Sequence, residues 1–111
     1  MPHKKTEHQL SQSKCPIARA AALVGDPWVL LILRELREEA RRFNELRNAI
    51  ANISPRTLSA RLKFLEQEGI VARTVIPETP PHVEYSLTEK GRALVPIIAQ
   101  LQEYGETWLK T

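Results

Sequence analysis

Ala51-Asn52-Ile53-Ser54-Pro55-Arg56-Thr57-Leu58-Ser59-Ala60-Arg61-Leu62-Lys63-Phe64-Leu65 reads as a turn that becomes a helix. Asn52 tolerates a left-handed backbone and can close the helix before it. Ser54 is a good N-cap, and Pro55 suits the first helical position, where an N–H is not needed. Leu58, Leu62 and Leu65 follow at i, i+4, i+7 and share one face. Arg56, Ser59, Ala60 and Lys63 lie largely on other faces, with Arg61 beside them. The charge order opposes the helix dipole. Arg56, Arg61 and Lys63 occupy the first half without an acid, and Glu66 and Glu68 occupy the second. A helix choosing charges for its own stability would place acids first and bases last. The placement predicts a negatively charged partner; the competing reading is an ordinary solvated amphipathic helix.

The flanking sequence supplies the other elements. Residues 1–14 are polar and unpatterned and are expected to form a flexible arm, with Lys4, Lys5 and Lys14 as candidate phosphate contacts. Cys15-Pro16-Ile17 opens a first helix, with Pro16 near its start and Gly25 at its end. Asp26-Pro27 caps and starts a second helix, in which Trp28, Leu31, Ile32 and Leu36 recur with helical spacing. Trp28 is expected to anchor the core. Phe43, Leu46 and Ile50 mark a third helix, with Arg41 and Arg42 just before its amide-rich end, a favourable place for an anion. The helix over 55–68 ends at Gly69.

Ile70 to Ile76 is β-branched and reads as a strand. Pro77-Glu78-Thr79-Pro80-Pro81-His82 cannot continue it, because three of these residues lack a backbone donor. Val83, Tyr85 and Leu87 then alternate with Glu84 and Ser86 as a second strand, making a β-hairpin. Thr88 caps a long last helix, over 88–110, that Pro96 is expected to kink. Its apolar stripe of Leu94, Ile98, Leu101, Gly105 and Trp108, with Ile97 and Tyr104 beside it, exceeds what so small a core needs. The stripe is expected to pack, together with Ile17 and the helix at 15–24, against a second copy of the chain.

The element order is α-α-α-turn-α-β-β-α, a mainly α fold with a small β-hairpin (α+β): a winged helix-turn-helix over residues 15–111. In such folds the front half of the second helix of the motif meets base edges and phosphates. The charge distribution agrees. Residues 41–75 hold seven bases and three acids, whereas residues 76–111 hold three bases and five acids. The basic field is therefore local to the turn, as suits a polyanion.

Composition excludes other classes. The 111 residues are enough for one domain, and a hydrophobic content of 42% with only 5% aromatic predicts an aliphatic core. No apolar run has the length to cross a bilayer, no basic amphipathic anchor favours a membrane surface, and the start lacks a secretory signal. A cytoplasmic protein is expected. One cysteine cannot form an internal disulfide or anchor a Cys-rich zinc site, and His3, His8 and His82 are scattered. There is no Gly-rich phosphate loop and no nucleophile elbow. Neither an enzyme nor a cofactor is expected, and the residues name no small-molecule effector.

Several ordered motifs carry a family resemblance. Cys15-Pro16 is followed by Gly25-Asp26-Pro27-Trp28, Leu33-Arg34-Glu35-Leu36 and Arg42-Phe43-Asn44-Glu45-Leu46-Arg47. Ile53-Ser54-Pro55-Arg56-Thr57-Leu58, Arg61-Leu62, Gly69-Ile70-Val71 and Pro80-Pro81-His82-Val83-Glu84-Tyr85-Ser86-Leu87-Thr88 come next, then Lys90-Gly91. In this order and spacing, from about residue 15 onward, they resemble the HxlR family of bacterial transcriptional regulators. The resemblance implies a homodimer on a palindromic operator in double-stranded DNA. It places Ser54, Pro55, Arg56, Thr57, Ser59, Arg61 and Lys63 at or near DNA, with Arg56 and Arg61 reaching guanine and Lys63 holding phosphate. Arg42 and Asn44 would meet the backbone. The wing loop holds Glu78 and no base, so Arg73 and His82 are its better candidates. Relatives with a Cys-Pro at this position include sensors of oxidants and electrophiles. By that resemblance Cys15, at the start of a helix beside Lys14, is a redox-sensing candidate; the alternative is a structural thiol. Likewise, the same fold can serve as a protein–protein interaction module without DNA binding, although the local basic field argues against it.

Overall fold

The computed structural model describes residues 4–111, with side chains from His8 onward. The order is α1 (Lys4–Ser11), α2 (Pro16–Val24), α3 (Pro27–Leu36), α4 (Phe43–Ala49), α5 (Pro55–Gln67), β1 (Val71–Ile76), β2 (His82–Leu87), α6 (Glu89–Arg92) and α7 (Val95–Trp108). It is a winged helix-turn-helix: mostly helical, with one two-stranded antiparallel hairpin.

The core sits where α3, α4, α5 and β1 meet. Val29, Ile32, Leu33 and Leu36 of α3 are buried at i, i+3, i+4, i+7. They pack against Leu46 of α4 and against Leu58, Leu62 and Leu65 of α5. Trp28 and Leu31 lie at the edge of this cluster and are only partly buried. The buried face of α3 is thus turned by about a residue from the expected one, and Trp28 is not its centre.

The signals around the turn act as expected. Asn52 has φ 66°, in the left-handed region. The Ser54 hydroxyl oxygen accepts the Thr57 N–H at 3.0 Å, and Pro55 stands in the first turn of α5. Gly69 reverses the chain into β1 with φ 73°.

Two expectations need correction. The stretch read as a flexible arm contains α1, which packs on α2. Leu10 is half-buried, and the Ser11 hydroxyl donates to the His8 carbonyl at 2.7 Å. Docking on α2 supplies what local periodicity lacks. Residues 1–3, and the Lys4 and Lys5 side chains, lie outside the described parts. Second, the C-terminal segment is two helices, not one kinked helix. Thr88 caps α6 by accepting the Gly91 N–H at 3.1 Å, the chain breaks at Ala93-Leu94, and Pro96 falls in the first turn of α7. A proline there lacks the N–H that α6 would need to continue, so it starts a helix instead.

The hairpin pairs Val71 with Leu87 and Ile76 with His82. It also gains an unexpected neighbour. Arg41 donates its N–H to the Tyr85 carbonyl at 2.9 Å and accepts the Tyr85 N–H at 2.8 Å. This bridge fastens the wing to the connection before α4. Among the described residues no single helix is long and apolar enough to cross a membrane.

Candidate nucleic-acid interface

The exposed face of α5 follows from its buried one. With Leu58, Leu62 and Leu65 inside, Arg56, Ser59, Ala60 and Lys63 fall outside at i, i+3, i+4, i+7. All four are exposed. No ion pair among the described residues involves Arg56 or Lys63. Two cations beside two small side chains make a row that can approach a duplex closely. Ser54 and Pro55 are exposed at the front of this row, and the Ser54 hydroxyl lies 3.0 Å from Thr57 Oγ1. Ser54 and half-buried Thr57 therefore serve first to hold the start of α5.

Arg61 does not belong to the row. Its Nε donates to Asp26 Oδ2 at 2.6 Å, and both side chains are largely shielded. Arg61, expected to reach a guanine, is here paired with Asp26, its guanidinium turned along the flank of α5 toward the α2–α3 junction. The sequence carries no local sign of it, because the partner stands 35 residues away.

Arg42 and Asn44 are exposed at the N-terminus of α4. The Arg42 backbone N–H donates to Glu45 Oε1 at 2.8 Å, closing the first turn of α4. With Phe43, His82 and Val83 they border a shallow depression between α4 and the wing. His82, expected to be a wing contact, is instead held by acids. Its Nε2 lies 2.9 Å from Glu84 Oε2 and its Nδ1 lies 3.6 Å from Glu78 Oε2. The side chain is 14% exposed. Arg73 is exposed on β1 opposite Tyr85 and is the one arginine or lysine of the hairpin.

A second surface lies on α2 and α7. No residue of α2 is buried, and Ile17 is 80% exposed. Leu101, Tyr104 and Trp108 are exposed along α7. Ile98, expected on this surface, is 7% exposed and belongs to the core, with Leu94 packed partly against it. The correction has a simple cause: α7 lies on α3, so the stripe splits between an inner side and an outer one. Cys15 sits at the N-cap of α2 as an exposed free thiol with no capping hydrogen bond, next to exposed Lys14.

Comparison with known proteins agrees with this architecture. The family model of the HxlR-like helix-turn-helix matches residues 23–111. The HTH-type transcriptional regulator YvaP of Bacillus subtilis is 45% identical over 102 residues, covering 90% of this chain and 94% of that protein. Among solved structures, the redox regulator HypR in its oxidised form superposes with a TM-score of 0.82 at 39% identity, covering 87% of this chain and 100% of that one. The reduced form of the transcriptional regulator YodB from B. subtilis gives a TM-score of 0.75 at 40% identity, covering 88% of this chain and 97% of that one. The chain belongs to the HxlR-like helix-turn-helix family of DNA-binding transcriptional regulators.

Proposed function

We propose that the protein is a homodimer that reads a palindromic operator with two copies of α5 and responds to oxidants or electrophiles through Cys15. The observation that carries the DNA-reading part is the exposed row of Arg56, Ser59, Ala60 and Lys63, without an acidic partner, on the face of α5 opposite the core. Arg56 is suited to guanine O6 and N7, and Lys63 to phosphate. Arg42 and Asn44 would steady the complex on the sugar-phosphate backbone, with Arg73 as the contribution of the wing. The acids around His82 keep the wing tip away from phosphate. Such a protein acts in the cytoplasm, where the bacterial chromosome lies.

The apolar outer side of α7 and the exposed Ile17 of α2 support the dimer, because exposed apolar faces favour a partner. A two-fold arrangement would set the two α5 helices about one duplex turn, or ~34 Å, apart. The name of HypR as a redox regulator supports a sensing role for Cys15. With one cysteine per chain, its outlets are a Cys15–Cys15 bond between protomers, a mixed disulfide with a small thiol, or alkylation.

The decisive experiment is footprinting on the region upstream of its own gene, followed by titration of the protected duplex and a random duplex at several salt concentrations. Salt-sensitive binding to both, tighter to the first, is expected. Absence of salt-sensitive binding to either would favour the protein-interaction module instead.

A further inference from the structure

Gly25 and Asp26 form the elbow between α2 and α3, whose axes meet at 78°. The two carboxylate oxygens of Asp26 serve different elements. Oδ1 accepts the Trp28 N–H at 2.8 Å and caps α3. Oδ2 accepts Arg61 Nε at 2.6 Å, from the middle of α5. The side chains are 15% and 21% exposed, so the pair is screened less than one at the surface. Removing either partner leaves the other charge poorly compensated. Arg61 occupies the flank of α5, between buried Leu58 and Leu62 on one side and the exposed row on the other. α2, which buries none of its own residues, runs directly into this elbow.

We propose that the Asp26–Arg61 pair is the joint that sets the position of α5 against the α2–α3 elbow. Arg61 is then a positioning residue for DNA reading and makes no base or phosphate contact of its own. The inference rests on α5 being the DNA-facing helix. Any displacement of α2, the helix on the partner-facing side, moves the Asp26 carboxylate. Arg61 follows, and with it the row that includes Arg56 and Lys63. Base recognition tolerates little error, since binding constellations must be held within about 0.5 Å of their working geometry. The pair thus offers a short physical route from the dimer face to the DNA face.

A double-mutant cycle tests this, with Asp26→Asn, Arg61→Gln and the two combined. Asparagine keeps an N-cap oxygen for Trp28 while removing the charge. Each single variant should bind the operator roughly tenfold more weakly, and the double variant no more weakly than either single. Affinity for random duplex should fall by much less than operator affinity, because non-specific phosphate contact by Lys63 tolerates a shift that base reading does not, and the salt slope should stay at the wild-type value. A salt slope reduced by about one in Arg61→Gln, with operator affinity unchanged in Asp26→Asn, would make Arg61 a direct contact and overturn the proposal. A fall in Tm with operator affinity unmoved in both singles would show a merely structural pair, and also overturn it. If a variant fails to fold, amide exchange on the wild type decides. Operator should slow exchange at Asp26 and Trp28, which do not face the DNA, and unchanged exchange there refutes the joint. Wild type that binds no duplex at all removes the DNA-reading function, and this inference with it. Intact binding with additive effects in the cycle removes this inference alone.

Discussion

Arg56 and Lys63 share one exposed face of α5 yet differ in what they can recognise. The planar guanidinium can make a bidentate contact with guanine, whereas the ammonium acts as a point charge on phosphate. Arg56→Ala is expected to weaken operator binding by roughly 1–3 kcal/mol while leaving the circular dichroism and Tm unchanged. Equal operator affinity in the variant would remove Arg56 from the base-reading set. Lys63→Ala should weaken operator and random duplex alike and lower the salt slope by about one. Gly91 illustrates a residue whose importance is invisible in its motif. It is buried against the Ile70 carbonyl, which leaves no room for a Cβ. Gly91→Ala should therefore cost about 1–3 kcal/mol of stability, read by urea denaturation, unless α6 can shift outward. At this scale the side chains on exposed positions were legible from spacing, whereas Arg61 and His82 were not. The partner of Arg61, Asp26, comes from a distant element, whereas Glu78 and Glu84 stand four and two residues from His82 and only the folded wing turns them toward its ring.

At the scale of elements, α7 separates two jobs along one helix. Ile98 faces α3 and the core, and Leu101 and Trp108 face outward. Ile98→Ala should destabilise the folded chain by roughly 2–5 kcal/mol. Leu101→Glu should instead leave the secondary structure intact and convert a dimer to a monomer, as light scattering after size exclusion would show. A dimer that persists in Leu101→Glu at micromolar concentration would place the interface elsewhere. The apolar stripe was visible as helical periodicity, but periodicity reports that a face is apolar, not whether its own domain or another chain covers it. The same limit applies to α1. Its local pattern is weakly apolar, and its helix is tied to docking on α2. By contrast α5 was readable end to end, since Asn52, Ser54, Pro55 and Gly69 each act through local backbone geometry.

At the scale of the whole molecule, the exposed thiol and the apolar outer face of α7 stand apart in sequence from the basic row of α5. Cys15 is exposed at the start of α2, the helix that leads into the Asp26 elbow. Diamide treatment should release wild-type protein from its operator and leave Cys15→Ser bound, as followed by fluorescence anisotropy. Release of both to the same extent would assign the effect to something other than Cys15. A non-reducing gel would further separate a bond between protomers from a mixed disulfide with a small thiol, because only the first doubles the mass.

The order of elements, the turn before α5, the hairpin and the exposed basic row of α5 all follow from signals confined to a few neighbouring residues: caps, prolines, left-handed positions and apolar spacing. Those act through backbone sterics and helical period, so the chain need not be folded for them to be read. The Asp26–Arg61 pair, the Arg41–Tyr85 bridge and the division of α7 into inner and outer sides depend on contacts between segments far apart in the chain. Each is settled by which surfaces the packed core brings within a few ångströms, and long-range packing leaves no periodic trace in the residues it joins.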